Sequence, residues 1–343
     1  MADSIQIEQF LTLAATHPVI DVRSPSEFAR GHIPGALNIP LFDDQERTEV
    51  GTAYKQVNKE AAMYLGLDFA GKKLVQLAKE GERKAGKRKI LLVHCWRGGM
   101  RSKSMGWLFE TMGITCYLLE GGYKSYRNQV HNEFEKPLKL IVLGGRTGSG
   151  KTDILCHLEK AGEQVIDLEG LAHHKGSAFG ALGEFPQPST EQFENNLCQK
   201  LTALDRKRVT WIEDESRNVG RCVIPGEIYT KMKESRILFL DISREMRASH
   251  LVKHYAGYEK DELKMCIRKI SKKLGGDRAK EAEDSVDRED FFSTAMITLQ
   301  YYDKTYLFSL RKNHEVHEVI PSDRIDPAYN AALLLNFIHE EKR

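Results

Sequence analysis

Short apolar runs alternate with amphipathic segments along most of the chain. In the first third, the runs at 18–22, 36–40, 90–93 and 116–119 have the length and composition of buried strands. Helical patterns lie at 102–112 and 123–135, and the charged segment 46–85 is also helix-prone. Strands that alternate with helices predict a parallel sheet with helices on both faces.

The same alternation begins again near Lys139. Apolar runs at 140–143, 164–167, 209–212 and 236–240 predict a second set of strands. Long helices are expected over 244–306, followed by a strand at 315–320 and an apolar helix at 328–338. Because the helix 123–135 ends before Pro137, we place one α/β domain at 8–135 and another at 138–343.

The turn after the first apolar run carries a helix-start signature. Ser24 is placed as an N-cap, Pro25 in the first turn, and Glu27 at the position that completes a capping box. This pattern predicts a helix beginning at Pro25.

Size and charge limit the function classes without choosing one. The 343 residues provide for two ordinary domains, and 51 basic against 49 acidic residues give a net charge of only +2. Lys264, Arg268 and Lys272 recur at helical spacing, which is typical of either a solvated helix face or an RNA-binding face. No apolar run reaches the roughly 18 residues of a membrane helix and no signal-peptide pattern is evident, so a soluble, cytoplasmic protein without membrane contact is expected.

Cysteine and histidine spacing argues against a metal centre. None of the six cysteines forms a C-x-x-C pair, and the adjacent His173 and His174 need not converge on one ion. We therefore predict no metal-ligating residues of a dedicated metal centre, and only Mg²⁺ at a phosphate site stays open. Of the cysteines, only Cys95 lies in a polar, glycine-rich loop, and the others are expected to be small buried hydrophobes.

The Cys95 loop has the residues of an activated thiolate. Cys95 follows an apolar strand, and Arg97, Arg101 and the start of a helix favour an anion there. Gly98 and Gly99 allow backbone N–H groups to point inward and cradle an anion. The alternative is a buried cysteine at a strand end, with the arginines as surface charges.

A second anion site follows the strand at 140–143. Residues 145–152 satisfy G-x-x-x-x-G-K-T in full, so backbone N–H groups of 148–152 should cradle a phosphate at a helix N-terminus. Thr152 can ligate Mg²⁺, and Asp214 or Glu213, after a Walker B-like strand, could hold a metal-bound water or be a plain strand-end carboxylate. The candidate ligand-binding residues are Gly145, Gly148, Ser149, Gly150, Lys151, Thr152 and Asp214. The motif alone fits ATP as well as any other diphosphate.

The segments 21–28 and 31–40 resemble the opening signature of a rhodanese domain. This resemblance implies that Cys95 carries a chalcogen as a persulfide or perselenide. Five residues separate Cys95 from Arg101, one more than in simple sulfur carriers, and this spacing resembles the phosphatase relatives of the fold. We interpret the longer loop as room for a tetrahedral phosphate group.

Over nearly its full length the chain resembles the tRNA 2-selenouridine synthase family, which joins a rhodanese-like domain to a P-loop domain. The resemblance rests on 95–102, 144–152, 167–172 and 213–217. It implies a rhodanese-like parallel-sheet domain followed by a P-loop NTPase-like, kinase-like α/β domain with extra C-terminal helices. It also implies a bacterial transferase that converts wobble 2-thiouridine in tRNA to 2-selenouridine through S-geranyl-2-thiouridine.

The same resemblance implies the co-substrates and their places. Geranyl diphosphate would bind at the P-loop, and selenophosphate at the Cys95 loop, where Cys95 becomes S-selanylcysteine with Arg97 and Arg101 beside it. The partners would be tRNA and the enzyme that supplies selenophosphate. Two other classes stay open from the residues alone: a rhodanese-type sulfurtransferase coupled to an ATP-dependent kinase-like domain acting on a small molecule, and a non-enzymatic RNA-binding regulator. The intact Cys95 and Lys151 argue against the regulator.

Overall fold

The computed structural model describes residues 2–313 and 318–340, and the chain divides into two compact units. Residues up to Glu133, together with Glu194–Gln199, form the first unit. Phe134–Phe193 and the described chain from Lys200 onward form the second unit. The middle of one helix, at 194–199, is thus grouped with the first unit, which the sequence pattern did not indicate.

The first unit is built on a five-stranded parallel sheet, as predicted. Its strand order is β1-β5-β4-β2-β3, which places β4 in the centre. The edge strand β1 was not predicted, because it is three residues long and only its last residue is buried. The strands are β1 (Asp3–Ile5), β2 (Val19–Asp21), β3 (Leu37–Asn38), β4 (Ile90–His94) and β5 (Thr115–Leu119).

The predicted helices of this unit are also present. The second begins with the expected capping box, in which the Ser24 N–H donates to Glu27 Oε2 at 3.1 Å. Buried aliphatic residues of β2 and β4 pack with Phe109 to form the core. The helices are α1 (Ile7–Ala14), α2 (Pro25–Arg30), α3 (Asp44–Gln56), α4 (Lys59–Gly71), α5 (Leu74–Ala85), α6 (Met100–Thr111) and α7 (Gly122–Glu135).

The second unit has its own five-stranded parallel sheet, in the order β12-β11-β6-β8-β7. The strand that leads into the P-loop, β6, is central. A short antiparallel pair, β9 with β10, was not predicted, and the first residues of the predicted strand 315–320 lie outside the described chain. The strands are β6 (Leu140–Gly145), β7 (Gln164–Ile166), β8 (Thr210–Glu213), β9 (Asn218–Val219), β10 (Cys222–Val223), β11 (Arg236–Asp241) and β12 (Glu318–Pro321).

The long helical stretch of this unit is divided into four helices. One break falls at Gly275, whose φ of +98° lies in the region that favours glycine. No helix in the described ranges is long and apolar enough to cross a membrane. The helices are α8 (Lys151–Lys160), α9 (Leu168–Ala172), α10 (Thr190–Thr202), α11 (Gly226–Glu234), α12 (Arg244–Tyr255), α13 (Lys260–Leu274), α14 (Gly276–Asp287), α15 (Phe291–Asn313) and α16 (Pro327–Glu340).

Candidate functional site

Cys95 lies directly after the central strand of the first unit, where the carboxyl end of a parallel strand opens toward ligands. Its Sγ accepts a hydrogen bond from the Gly99 N–H at 3.3 Å and lies 3.3 Å from Ser102 Oγ. The loop then enters α6 at Met100, so the sulfur lies at a helix N-terminus. The sulfur thus faces a backbone N–H group and a helix N-terminus, the two features that bind an anion in a loop of this kind.

The beginning of α7 holds this loop in place. The Tyr123 N–H donates to the Cys95 carbonyl at 2.8 Å. At Gly122, φ is +60°, and a Cβ added there would lie 2.4 Å from both the Cys95 carbonyl oxygen and the Gly98 nitrogen. Gly122 was not predicted as part of the site. Its role as a contact surface for the cysteine loop depends on tertiary packing.

Arg101 is engaged by a carboxylate in the structure. Its guanidinium contacts Glu27 through Nη1–Oε2 at 2.6 Å and Nη2–Oε1 at 3.3 Å. Burial opposes ionisation of Glu27, but the Arg101 guanidinium holds the pKa of this carboxyl below its usual value. Arg97 is exposed beside Cys95 and forms no ion pair with any described residue. An anion that binds at this loop can therefore pair with Arg97 directly, whereas it must compete with Glu27 for the guanidinium of Arg101.

A buried polar layer lies beneath the cysteine loop. Asp21 pairs with Arg23 at 2.6 Å, and the Arg23 guanidinium lies 3.8 Å from the centre of the Tyr123 ring. His94, the last residue of β4, is fully buried, and burial lowers its pKa, so the ring is neutral. None of these groups was predicted as functional, and we interpret them as support for the loop.

The P-loop connects β6 to α8, as predicted. Gly148 and Gly150 have φ of +83° and +75°, a conformation that glycine adopts without strain. Lys151 Nζ donates to the Gly145 carbonyl at 3.2 Å, and Thr152 Oγ1 donates to Glu169 Oε2 at 2.7 Å. The Ser149 hydroxyl is buried and has no hydrogen-bond partner among the described residues. Gly145, Gly148, Ser149, Gly150, Lys151 and Thr152 are thus brought together in one cradle.

Carboxylates surround the P-loop lysine. Burial disfavours the charge on Lys151, but Glu215, Glu169 and Glu213 hold its pKa above the ordinary value. Burial, with neighbouring Glu169, raises the pKa of Glu215 to about 8 and that of Glu213 well above the usual range. The carboxyl groups around the cradle are therefore partly ionised and partly protonated. Its oxygen atoms are the donors that Mg²⁺ prefers.

Asp214 is positioned by a tyrosine from a distant helix. Tyr306 OH donates to Asp214 Oδ2 at 2.6 Å and accepts from the Gly145 N–H at 3.1 Å. Asp214 thus joins the P-loop residues as predicted, but it does so through Tyr306. Sequence reasoning did not identify Tyr306, because it lies far along the chain on α15.

A cavity of about 520 Å³ opens over the cradle, and we call it the P-loop cavity. One wall carries Tyr255, Tyr301, Tyr302 and Tyr306. At its edge Asp153, His250 and His254 bring ligand atoms within 4.8 Å of one another, an arrangement that could hold a metal ion. The expectation of no metal-ligating residues did not consider this group, because it forms only when α8 and α12 pack together.

The predicted basic stripe on α13 is partly neutralised. Lys264 forms an ion pair with Asp287, and Arg268 pairs with Glu283 at 2.7 Å. Lys272 is exposed and has no carboxylate partner in the described part of the chain. The stripe offers fewer unpaired cations for RNA than the helical spacing indicated.

Comparison with known proteins covers both units. A family model described as "tRNA 2-selenouridine synthase AAA domain" matches residues 138–324, and a rhodanese-like domain model matches residues 6–129. A tRNA 2-selenouridine synthase of Nitrosomonas europaea is 33% identical, with 87% of this chain and 90% of that protein covered. One of Bdellovibrio bacteriovorus is 35% identical, with 87% and 90% covered. Among solved structures, the N-terminal domain of a Clostridium difficile 630 protein is 40% identical over 37% of this chain and 98% of its own, with a TM-score of 0.36.

Proposed function

Because the chain belongs to the tRNA 2-selenouridine synthase family, we propose that it is a tRNA-modifying transferase that replaces the sulfur of a wobble 2-thiouridine with selenium. The proposed route has two steps, alkylation by geranyl diphosphate and then exchange of the geranylthio group for selenium from selenophosphate. One observation carries the proposal: two anion sites of different chemistry, a thiol loop and a phosphate cradle, follow the central strands of two sheets in one chain.

The first step is assigned to the P-loop cavity. The thiocarbonyl sulfur attacks C1 of geranyl diphosphate, the S–C bond forms, the C1–O bond breaks, and pyrophosphate leaves. Lys151 and the backbone N–H groups of the cradle stabilise the charge on the departing pyrophosphate. The N3 proton of the thiouracil must also leave, and Glu169, which lines the cavity and accepts a hydrogen bond from Thr152, is the base beside the cradle.

The second step is assigned to the Cys95 loop. The inward-facing Gly99 N–H, the N-terminus of α6 and the unpaired Arg97 suit the tetrahedral phosphate of selenophosphate. Cys95 Sγ attacks C2 of the base and displaces the geranylthiolate, and the selenium of selenophosphate then attacks C2 and releases the Cys95 thiolate. Water finally cleaves the P–Se bond, so that phosphate leaves and 2-selenouridine remains. Alkylation makes this exchange possible, because an alkylated sulfur leaves as a thiolate. The thiocarbonyl sulfur itself is a poor leaving group.

A pair of variants tests this division of labour. Lys151→Ala should block geranylation of 2-thiouridine tRNA but still install selenium into tRNA that already carries S-geranyl-2-thiouridine. Cys95→Ser should give the reverse, with geranylation retained and selenium incorporation lost. Lys160→Ala, at the exposed far end of α8, and Cys156→Ser, an exposed free thiol, are matched controls that should behave like the wild type.

The products would be measured by mass spectrometry of tRNA nucleosides. If wild-type protein needs ATP to install selenium into pre-geranylated tRNA, and Lys151→Ala installs none, the P-loop is an ATP site and the proposed mechanism is wrong. Loss of geranylation in a folded Cys95→Ser variant would contradict the separation of the two steps.

A further inference from the structure

A smaller cavity adjoins the P-loop cavity in the second unit, and we call it the side cavity. Its volume is about 50 Å³, and it shares wall residues with the P-loop cavity, among them Thr147, Leu251 and Tyr255. The walls that it does not share come mainly from α12, α13 and α15. Because Thr147 belongs to the P-loop itself, a ligand held by its phosphates in the cradle can extend directly into this space.

The side cavity offers few polar groups to a ligand. Thr298 Oγ1 donates to the carbonyls of Thr294 at 2.9 Å and Ala295 at 3.1 Å. Thr294 Oγ1 donates to the Asp290 carbonyl at 3.1 Å. The hydroxyls of Thr294 and Thr298 are therefore committed to backbone carbonyls, and the Tyr302 and Ser177 hydroxyls accept from the N–H groups of Ala178 at 3.0 Å and Phe179 at 3.2 Å. Thr147 and Tyr255 line the cavity where it meets the P-loop cavity, and the other walls are aliphatic and aromatic.

This lining favours hydrocarbon over a nucleobase. A purine buries several N–H groups and ring nitrogens, and each one left without a partner costs free energy. A hydrocarbon chain has no such groups and gains from each carbon that it removes from water. Phe291 and Ala295, which carry no polar side-chain atoms, face the cavity together with Leu263.

We propose that the side cavity binds the terminal isoprene unit of an allylic diphosphate whose diphosphate lies in the P-loop. The inference rests on the proposed geranylation activity and adds the means by which chain length is selected. At about 10–15 Å³ per water-sized group, 50 Å³ accommodates roughly three to five heavy atoms, which is one isoprene unit. The first isoprene unit of geranyl diphosphate then lies in the P-loop cavity along its tyrosine wall.

The proposal implies a measurable chain-length preference. Dimethylallyl diphosphate has no second isoprene unit to fill the side cavity, and farnesyl diphosphate has one more than the cavity accommodates. Geranyl diphosphate should therefore have the highest kcat/KM of the three. A pocket that senses a few carbon atoms typically discriminates by about 10- to 200-fold.

Two variants in the full-length protein test the cavity from opposite directions. Ala295→Leu fills it and should lower kcat/KM for geranyl diphosphate by about tenfold or more, with a much smaller effect on dimethylallyl diphosphate. Phe291→Ala enlarges it and should raise the use of farnesyl relative to geranyl diphosphate. Ala279→Leu adds the same atoms to a buried alanine of α14 outside the cavity and should leave the preference unchanged.

The assay measures alkylation of 2-thiouridine tRNA with each of the three diphosphates. If wild type uses geranyl diphosphate but Ala295→Leu and Phe291→Ala keep its chain-length profile, the side cavity is not the tail site, whereas the proposed function stands. If wild type alkylates with none of the diphosphates, the proposed function itself fails. If Ala295→Leu does not fold, the Phe291→Ala profile decides. A weakened affinity for ATP in a folded Ala295→Leu variant would assign the cavity to a nucleobase and overturn the inference.

Discussion

Replacing Gly122 by alanine should impair selenium incorporation at Cys95, although Gly122 lies outside the cysteine loop. The new Cβ would approach the Cys95 carbonyl oxygen and the Gly98 nitrogen to 2.4 Å, closer than real Cβ contacts come, so the loop backbone must move. Gly122 also has a φ of +60°, at which an L-residue is strained. Gly113 supplies a matched control, because its φ is +74° but a Cβ there meets nothing within 4 Å.

The magnitudes follow from this difference. Gly113→Ala should lower the free energy of unfolding by about 1 kcal/mol, from backbone strain alone. Gly122→Ala adds an overpacking cost of about 1–3 kcal/mol, which gives a total of about 2–4 kcal/mol. Displacing a reacting group by roughly 1 Å can cost about a hundredfold in rate. We therefore expect selenium incorporation to fall by about that factor in Gly122→Ala and to change little in Gly113→Ala.

Three measurements on each protein check this reasoning. Urea unfolding gives the free energies of unfolding, iodoacetamide labelling gives the reactivity of Cys95, and pre-geranylated tRNA reports selenium incorporation. Geranylation of 2-thiouridine tRNA is the internal control, because it is assigned to the P-loop. If Gly122→Ala and Gly113→Ala lose the same stability and the same selenium incorporation, the close contact between Gly122 and the cysteine loop does not matter for either.

Three further predictions concern charged groups. Arg101→Lys should raise the KM for selenophosphate without changing tRNA affinity. Glu27→Gln should lower that KM, because the Arg101 guanidinium is then no longer paired with a carboxylate. A higher KM for selenophosphate in both variants would contradict this. The pKa of Glu215 is about 8 in the folded state but 4.5 in the unfolded chain, so the folded state binds the proton more tightly. The free energy of unfolding should therefore decrease as the pH rises from 4.5 to about 8. In urea unfolding at several pH values, Glu215→Gln should make the free energy of unfolding less dependent on pH. An unchanged pH dependence would show that other groups cause it. Lys272→Ala should weaken tRNA binding in filter assays more than Lys264→Ala, which removes a cation that is already paired; equal effects would exclude the stripe as a tRNA contact.

The sequence predicted those parts of the site that are contiguous in the chain. The strand, phosphate loop and helix of 140–160 form a local unit, and so do β4, the cysteine loop and α6, so their motifs specify their own geometry. The resemblance to the tRNA 2-selenouridine synthase family is confirmed by the family model and the relatives. Assignment of individual catalytic roles stays a prediction.

The sequence could not predict the contacts that arise from tertiary packing. Glu27 was identified as a capping residue, which is a local role, but its pairing with Arg101 depends on β2 and β4 being neighbours in the sheet. Tyr306 reaches Gly145 across 161 positions of sequence, and no periodic pattern in α15 marks it. Arg268 was placed on a basic stripe that is either solvated or RNA-binding, and its pairing with Glu283 could not be predicted because that carboxylate is on another helix.

The pairing of β1 with β5 affects the timing of folding during synthesis. Asp3 pairs with Tyr117, so the edge of the first sheet cannot close until nearly the whole unit has been made. At typical translation rates β1 waits on the order of ten seconds for its partner strand. The central strands β2 and β4 can pair before that time, and β1 is added afterwards to the outer edge of β5. Until it docks, that edge of the nascent chain offers unpaired backbone groups to other chains.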